Sequence, residues 1–125
     1  MTPPFRALAV EDDLDALKLL RLVLRSLPIE IDHALTGAEA ITYMASQVPD
    51  LVFLDISLPD MRGWEVLDHI KANGRLGTVQ VIILTSHTEP VHRLIGTLQP
   101  IAAYLNKPIS TDELRDTVKN VLRLS

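Results

Sequence analysis

Four short apolar runs punctuate this chain, and each stops at polar residues able to do chemistry. Ala7-Leu8-Ala9-Val10 ends in Glu11-Asp12, Leu51-Val52-Phe53-Leu54 ends in Asp55, Val81-Ile82-Ile83-Leu84 ends in Thr85, and the run from Ile101 to Leu105 ends near Lys107-Pro108. Continuous runs of this length, bounded by turn signals, are the pattern of strands buried on both faces. Parallel strands of that kind present their C-terminal ends along one edge of a sheet. The pattern therefore predicts a crevice in which carboxylates, a hydroxyl and an ammonium converge.

Between the runs the apolar period becomes helical. Leu17, Leu20, Leu24 and Leu27 form a stripe interleaved with Lys18, Arg21 and Arg25, and Pro28 marks its stop. Ile29, Ile31 and His33 alternate with Glu30 and Asp32, which predicts a half-exposed strand at a sheet edge. Thr36-Gly37-Ala38-Glu39 has the capping-box pattern and opens a second helix, which passes through Ile41 and Met44 and stops near Gln47. Pro59-Asp60 and Gly63 shape the loop before a third helix, whose Val66, Leu67 and Ile70 face inward and which Asn73-Gly74 ends. The fourth helical segment is weak, because it carries Pro90, Gly96 and Pro100. Ser110 to Glu113 is a second capping box, leading into a fifth helix striped by Leu114, Val118, Val121 and Leu122.

Strands alternating with helices read as α/β with a parallel sheet. Five such units with the second strand at an edge fit a flavodoxin-like, doubly wound (βα)5 three-layer sandwich with strand order 2-1-3-4-5. Ligands then bind where the winding reverses, between strands 1 and 3. Those are the strands that end in Glu11-Asp12 and Asp55.

Composition narrows the function classes. The 125 residues suit one domain spanning 1–125, and a hydrophobic fraction of 47% with a mean hydropathy of +0.20 argues against disorder. Cysteine is absent, which excludes a disulfide framework, a thiol nucleophile and a thiolate zinc site. The net charge of −4 supplies no electrostatic footprint for nucleic acid, and no direct nucleic-acid binding is expected. No apolar stretch approaches the ~20 residues that span a bilayer. The segment before Glu11-Asp12-Asp13 is too short for a signal peptide, so a soluble cytoplasmic protein is expected, away from membranes. His33, His69, His87 and His92 lack metal-ligand spacing, although His87 is expected at the rim of the crevice.

Glu11, Asp12 and Asp55 repel one another unless a cation neutralises them. An oxygen-only donor set favours Mg²⁺ or Mn²⁺ over softer metals. Asp55 is then placed to act as a nucleophile toward phosphorus, with Lys107 supplying a second cation and Thr85 a hydroxyl donor to the phosphoryl oxygens.

Those residues resemble a known family. Val10-Glu11-Asp12-Asp13, the stretch Asp50 to Asp55 followed by Leu58-Pro59-Asp60-Met61 and Gly63, Leu84-Thr85-Ser86, and Tyr104-Leu105-Asn106-Lys107-Pro108 together are similar to the motifs of CheY-like response-regulator receiver domains, across Arg6 to Leu124. The resemblance implies a phosphoacceptor switch of two-component signalling rather than a turnover enzyme. It assigns phosphorylation to Asp55, metal binding to Glu11, Asp12, Asp55 and the Ser57 carbonyl, and switch roles to Thr85 and Tyr104. It also implies a cis peptide between Lys107 and Pro108. The implied donor is a histidine kinase or histidine phosphotransfer protein. The implied output is a downstream protein that reads the face made by the fourth helix, fifth strand and fifth helix, with the chain as monomer or weak dimer.

Three positions depart from the family pattern. Ser86 stands where many members have a smaller residue, Pro100-Ile101 where Gly-Ala is usual, and Ala102-Ala103 where dimerising DNA-binding members often carry acidic residues. Two rivals share parts of the pattern. A haloacid-dehalogenase-type phosphatase also uses Asp, Thr or Ser, Lys and Mg²⁺, but needs a second Asp where this chain has Ser57. A flavodoxin must cradle a phosphate in its first loop, which Glu11-Asp12-Asp13 would repel.

Overall fold

Each apolar run becomes a strand. In the computed structural model, which describes residues 4–73, 78–86 and 101–124, β1 spans Phe5–Val10, β2 Ile29–Ala34, β3 Leu51–Asp55, β4 Gln80–Thr85 and β5 Ala103–Asn106. The strands form one parallel sheet in the order β2-β1-β3-β4-β5, the flavodoxin-like order expected from the sequence. The described helices are α1 (Leu14–Leu24), α2 (Gly37–Ser46), α3 (Gly63–Ala72) and α4 (Thr111–Val121), the last being the fifth helix of the sequence pattern. The weak helical segment with Pro90, Gly96 and Pro100 lies outside the described residues, as do Gly74, His87 and His92.

Alternate strand residues feed two cores, one on each face. Ala7, Ala9, Leu51, Phe53, Ile82, Leu84 and Leu105 pack with Leu17, Leu20, Val23 and Leu24 of α1 and with Leu114 and Val118 of α4. Leu8, Val10, Val52, Leu54, Val81 and Ile83 pack with Ala40 and Met44 of α2 and with Val66, Leu67 and Ile70 of α3. Burial of both faces is why the central strands read as unbroken apolar runs rather than alternating ones. Each fully buried large side chain contributes about 1.5–3 kcal/mol, and Phe53, Leu54, Ile82 and Ile83 sit at the centre with no exposure.

Local chemistry sets the helix ends. Asp13 caps α1, its carboxylate accepting from Asp15 N–H at 3.0 Å. Thr36 Oγ1 accepts from Glu39 N–H at 3.0 Å, while the Glu39 carboxylate accepts from Leu35 N–H at 2.8 Å, one residue earlier than in the usual box. Ser110 caps α4 by accepting from Glu113 N–H at 3.2 Å. At the other end of α4, Leu124 N–H donates to Lys119 O (2.7 Å) and Arg123 N–H to Asn120 O (3.2 Å). That is the Schellman pattern, with Arg123 at φ 56° in the position glycine usually holds.

Two expectations shift. The last strand starts at Ala103 rather than Ile101, although Ala102 N–H already donates to Val81 O at 2.8 Å. β2 is the edge strand, but Asp32 is half-buried instead of exposed, because Tyr43 on α2 donates its hydroxyl to Asp32 Oδ2 at 2.7 Å. Burial first, then the Asp32 carboxylate, raises the Tyr43 phenol above its ordinary pKa.

Candidate functional site

Register carries the chemistry to one edge of the sheet. Val10 pairs with Leu54, Asp55 with Leu84, and Thr85 with Asn106, so β1, β3, β4 and β5 end side by side. Glu11 continues the β1 ladder by donating its N–H to Ala34 O at 3.0 Å, and its side chain is completely buried. Asp55 closes β3 and is 5% exposed, Thr85 closes β4 and is buried, and Asp12 is exposed. Lys107 N–H donates to Thr85 O at 2.7 Å, which fixes where its side chain starts. The Lys107–Pro108 peptide is cis.

Glu11, Asp12 and Asp55 each offer a carboxylate oxygen, and these atoms lie within 4.8 Å of one another. The Lys107 ammonium contacts Glu11 Oε1 and stands 3.6 Å from Asp55 Oδ2. Asp13 N–H donates to Glu11 Oε2 at 3.2 Å, and Ser57 N–H donates to Asp55 Oδ1 at 3.1 Å. The Glu11 carboxyl is held above its ordinary pKa by burial and then by the neighbouring Asp55, with Lys107 opposing. Burial opposes the charge on Lys107, but contact with Glu11 and the charges of Asp55, Glu11 and Asp13 outweigh it and raise its pKa. Two buried carboxylates thus share one ammonium.

The chemistry of the donor set fits a hard divalent cation. Its three carboxylates include no imidazole or thiolate, and a second cation relieves the repulsion that Lys107 leaves uncompensated. Sequence and structure agree on which residues meet here: Glu11, Asp12, Asp55, Ser57, Thr85 and Lys107 all lie at this edge. Tyr104 stands apart, half-buried on β5 beside Ile83 and packed against the core shared with α2 and α3.

Three residues near the site make contacts that the sequence reading does not anticipate. Gly63 opens α3 directly beneath β3, where a Cβ would lie 2.3 Å from Asp55 O. The Asp60 carboxylate accepts from Gly37 N–H (2.9 Å) and Ala38 N–H (3.0 Å), the first two amides of α2. Met61 covers Gly37, where a Cβ would lie 2.4 Å from its Cγ. The Pro59-Asp60 pair signals a turn, but nothing local signals a partner more than twenty residues away (|i−j| = 23).

Comparison with known proteins places this geometry. Residues 7–119 match the family described as the response regulator receiver domain. The regulatory protein LuxO of Vibrio vulnificus is 36% identical over 114 residues, which is 91% of this chain and 25% of that protein. The phosphate regulon transcriptional regulatory protein PhoB of Rhizobium meliloti is 35% identical over 117 residues, 93% of this chain and 52% of that protein. The chain therefore spans between a quarter and about half of these relatives. Among solved structures, the signal receiver domain of a putative LuxO repressor from Vibrio parahaemolyticus superposes with a TM-score of 0.89 at 33% identity, covering 98% of this chain and 92% of that one. A CheY-like receiver domain protein from Methanospirillum hungatei gives 0.85 at 28% identity, covering 95% and 94%.

Proposed function

This chain belongs to the response regulator receiver domain family, and from that premise we propose that Asp55 accepts a phosphoryl group from a histidine kinase or histidine phosphotransfer protein. The observation that carries the reading is the placement of the Lys107 ammonium against both Glu11 and Asp55, beside three converging carboxylates. An Asp55 oxygen attacks phosphorus, the P–O bond forms, and the P–N bond to the donor imidazole breaks. The imidazole leaves with the bonding pair and takes up a proton. Lys107 and the Thr85 hydroxyl stabilise the charge on the phosphoryl oxygens, which is most of what such a transfer requires.

Asp12, Asp55 and the Ser57 carbonyl would hold Mg²⁺ or Mn²⁺, with Glu11 acting through water. The bound cation would neutralise the carboxylates and the incoming phosphoryl charge. Ser57 N–H already holds Asp55 Oδ1, orienting the nucleophile. Once phosphorylated, Asp55 draws Thr85 inward, and Tyr104 moves into the space beside β5. The face read by a downstream protein includes β5 and α4; the fourth helical segment of the sequence pattern, also assigned to it, lies outside the described residues. On this reading the chain is a cytoplasmic signalling switch, a monomer or weak dimer, and not a turnover enzyme.

Incubation with acetyl phosphate and Mg²⁺ tests the assignment. An alkali- and hydroxylamine-labile adduct on Asp55 is expected, absent from Asp55→Asn, which keeps the shape but not the nucleophile. Undiminished labelling of Asp55→Asn would overturn it.

A further inference from the structure

The loop between β3 and α3 is a closed lobe with a narrow neck. At the neck, Gly63 N–H donates to Ile56 O at 2.8 Å, Ser57 and Arg62 form an isolated antiparallel bridge, and Ile56 N–H donates to Leu84 O at 3.3 Å. The tip reaches across to a different part of the molecule. There the Asp60 carboxylate takes both Gly37 N–H and Ala38 N–H, while Thr36 takes Glu39 N–H, so the first three amides of α2 are satisfied. Met61 packs over Gly37, a position where any side chain would collide with it. The lobe is thus pinned at both ends, by sheet and bridge at the neck and by a charge-assisted pair of hydrogen bonds at the tip.

Ser57 stands at the neck of that lobe, on the exposed surface. Its N–H meets Asp55 Oδ1 at 3.1 Å, and the direction of both its amide and its carbonyl depends on the path of the lobe. We propose that Asp60 is a positioning residue for the Asp55 site: its carboxylate straps the lobe to the first turn of α2 and thereby holds Ser57 toward Asp55. The part of this that concerns metal affinity rests on the reading of Asp55 and Ser57 as metal-site residues. The strap itself does not.

Two measurements on the full chain separate these parts. Amide hydrogen exchange on the metal-free protein should show the Ser57 N–H exchanging about tenfold faster in Asp60→Ala, with Leu67 of α3 unchanged as a folded-core reference. Asp60→Asn, which keeps one acceptor oxygen in place, should lie between the two. Calorimetric titration should show Mg²⁺ binding weakened about tenfold in Asp60→Ala, the scale at which groups supporting a ligand act on metal affinity. Loosened Gly37 and Ala38 amides with Ser57 exchange at the wild-type rate would overturn the proposal, since Asp60 would then be a helix cap and nothing more. Unchanged Mg²⁺ affinity in Asp60→Ala would overturn the part that concerns metal affinity. Failure of the wild-type protein to bind Mg²⁺ would instead strike the proposed function, while the exchange comparison still decides the strap.

Discussion

Replacing Gly63 with alanine sets two effects of opposite sign against each other. In a helix, alanine is favoured over glycine by about 0.5–1 kcal/mol, because glycine loses more backbone freedom on folding. Against this, the added Cβ would stand 2.3 Å from Asp55 O, 2.9 Å from Ile56 Cα and 3.1 Å from Asp55 C. All three are backbone atoms, and Asp55 ends a strand flanked by β1 and β4, so no side-chain rotation relieves the contact. Normal van der Waals spacing requires α3 and the lobe before it to retreat by about 1 Å. Overpacking of this kind costs about 1–3 kcal/mol, and backbone neighbours put it at the upper end. The net expectation is a loss of about 2 kcal/mol, or a fall in melting temperature of roughly 8 °C for a chain of this size. Gly37→Ala is the matched control, since the nearest atoms to its Cβ all belong to the flexible Met61 side chain, at 2.4 Å for Cγ and 2.5 Å for Sδ. Urea unfolding of both variants, with the m-value checked for constancy, measures the difference. A Gly63→Ala protein as stable as wild type would refute the argument, because it would mean that the end of β3 yields freely.

The Arg123→Gly change should stabilise by about 1 kcal/mol, since Arg123 occupies the left-handed region at φ 56° that costs a residue with a side chain roughly that much; an unchanged or lower urea midpoint would refute it. The Gly37 and Ala38 amides hold the Asp60 carboxyl below its ordinary pKa. Its contribution is therefore fully present above the unfolded carboxylate value of about 3.9 and is lost as pH falls through the lower folded value. The Asp60→Asn protein should accordingly lose less stability than wild type between about pH 5 and pH 2, and parallel acid profiles would show that the lowered pKa does not contribute. Thr85→Ala should accept phosphate yet lose most of the change around Tyr104, because a bound group shifts a conformational equilibrium only through contacts that differ between its states. Full-sized chemical-shift changes in residues 101–106 of that variant, with a beryllofluoride mimic bound, would mean that the coupling bypasses Thr85.

The features legible in the sequence are those that a short window encodes. Unbroken apolar runs marked β1, β3 and β4 because both of their faces are buried, and alternation marked β2 as an edge. Thr36 and Ser110 announced their helices through hydroxyls that reach only three residues ahead. The convergence of most candidate-site residues was legible for the same reason, since a parallel sheet delivers every strand's C-terminal residue to one edge. What stayed hidden depends on partners distant in sequence. Asp60 reads as an ordinary turn residue until α2 is packed beside it, and Asp32 reads as solvent-facing until Tyr43 folds over it. The C-terminal turn of α4 misleads more directly, because Arg123 adopts a conformation for which glycine is the usual marker.

The edge that gathers the chemistry is also where the sequence works against its own stability. Among the other described residues, the turn at Arg123 apart, pattern, capping and packing agree, as they do in a chain that specifies one structure. At the edge, Glu11 is fully buried and Asp55 nearly so, yet Lys107 is the ammonium that both contact. At separations near 4 Å, unit charges close to a protein surface interact by about 4 kcal/mol, so the Glu11–Asp55 repulsion is comparable to the attraction either gains from Lys107. A leucine at Glu11 would serve the core better and remove the conflict. With the glutamate in place, two buried carboxylates face one ammonium at this edge. The strain is local because the surrounding backbone is overdetermined: Glu11 N–H is tied to Ala34 O, Lys107 N–H to Thr85 O and Ile56 N–H to Leu84 O. A rigid sheet can therefore hold like charges together.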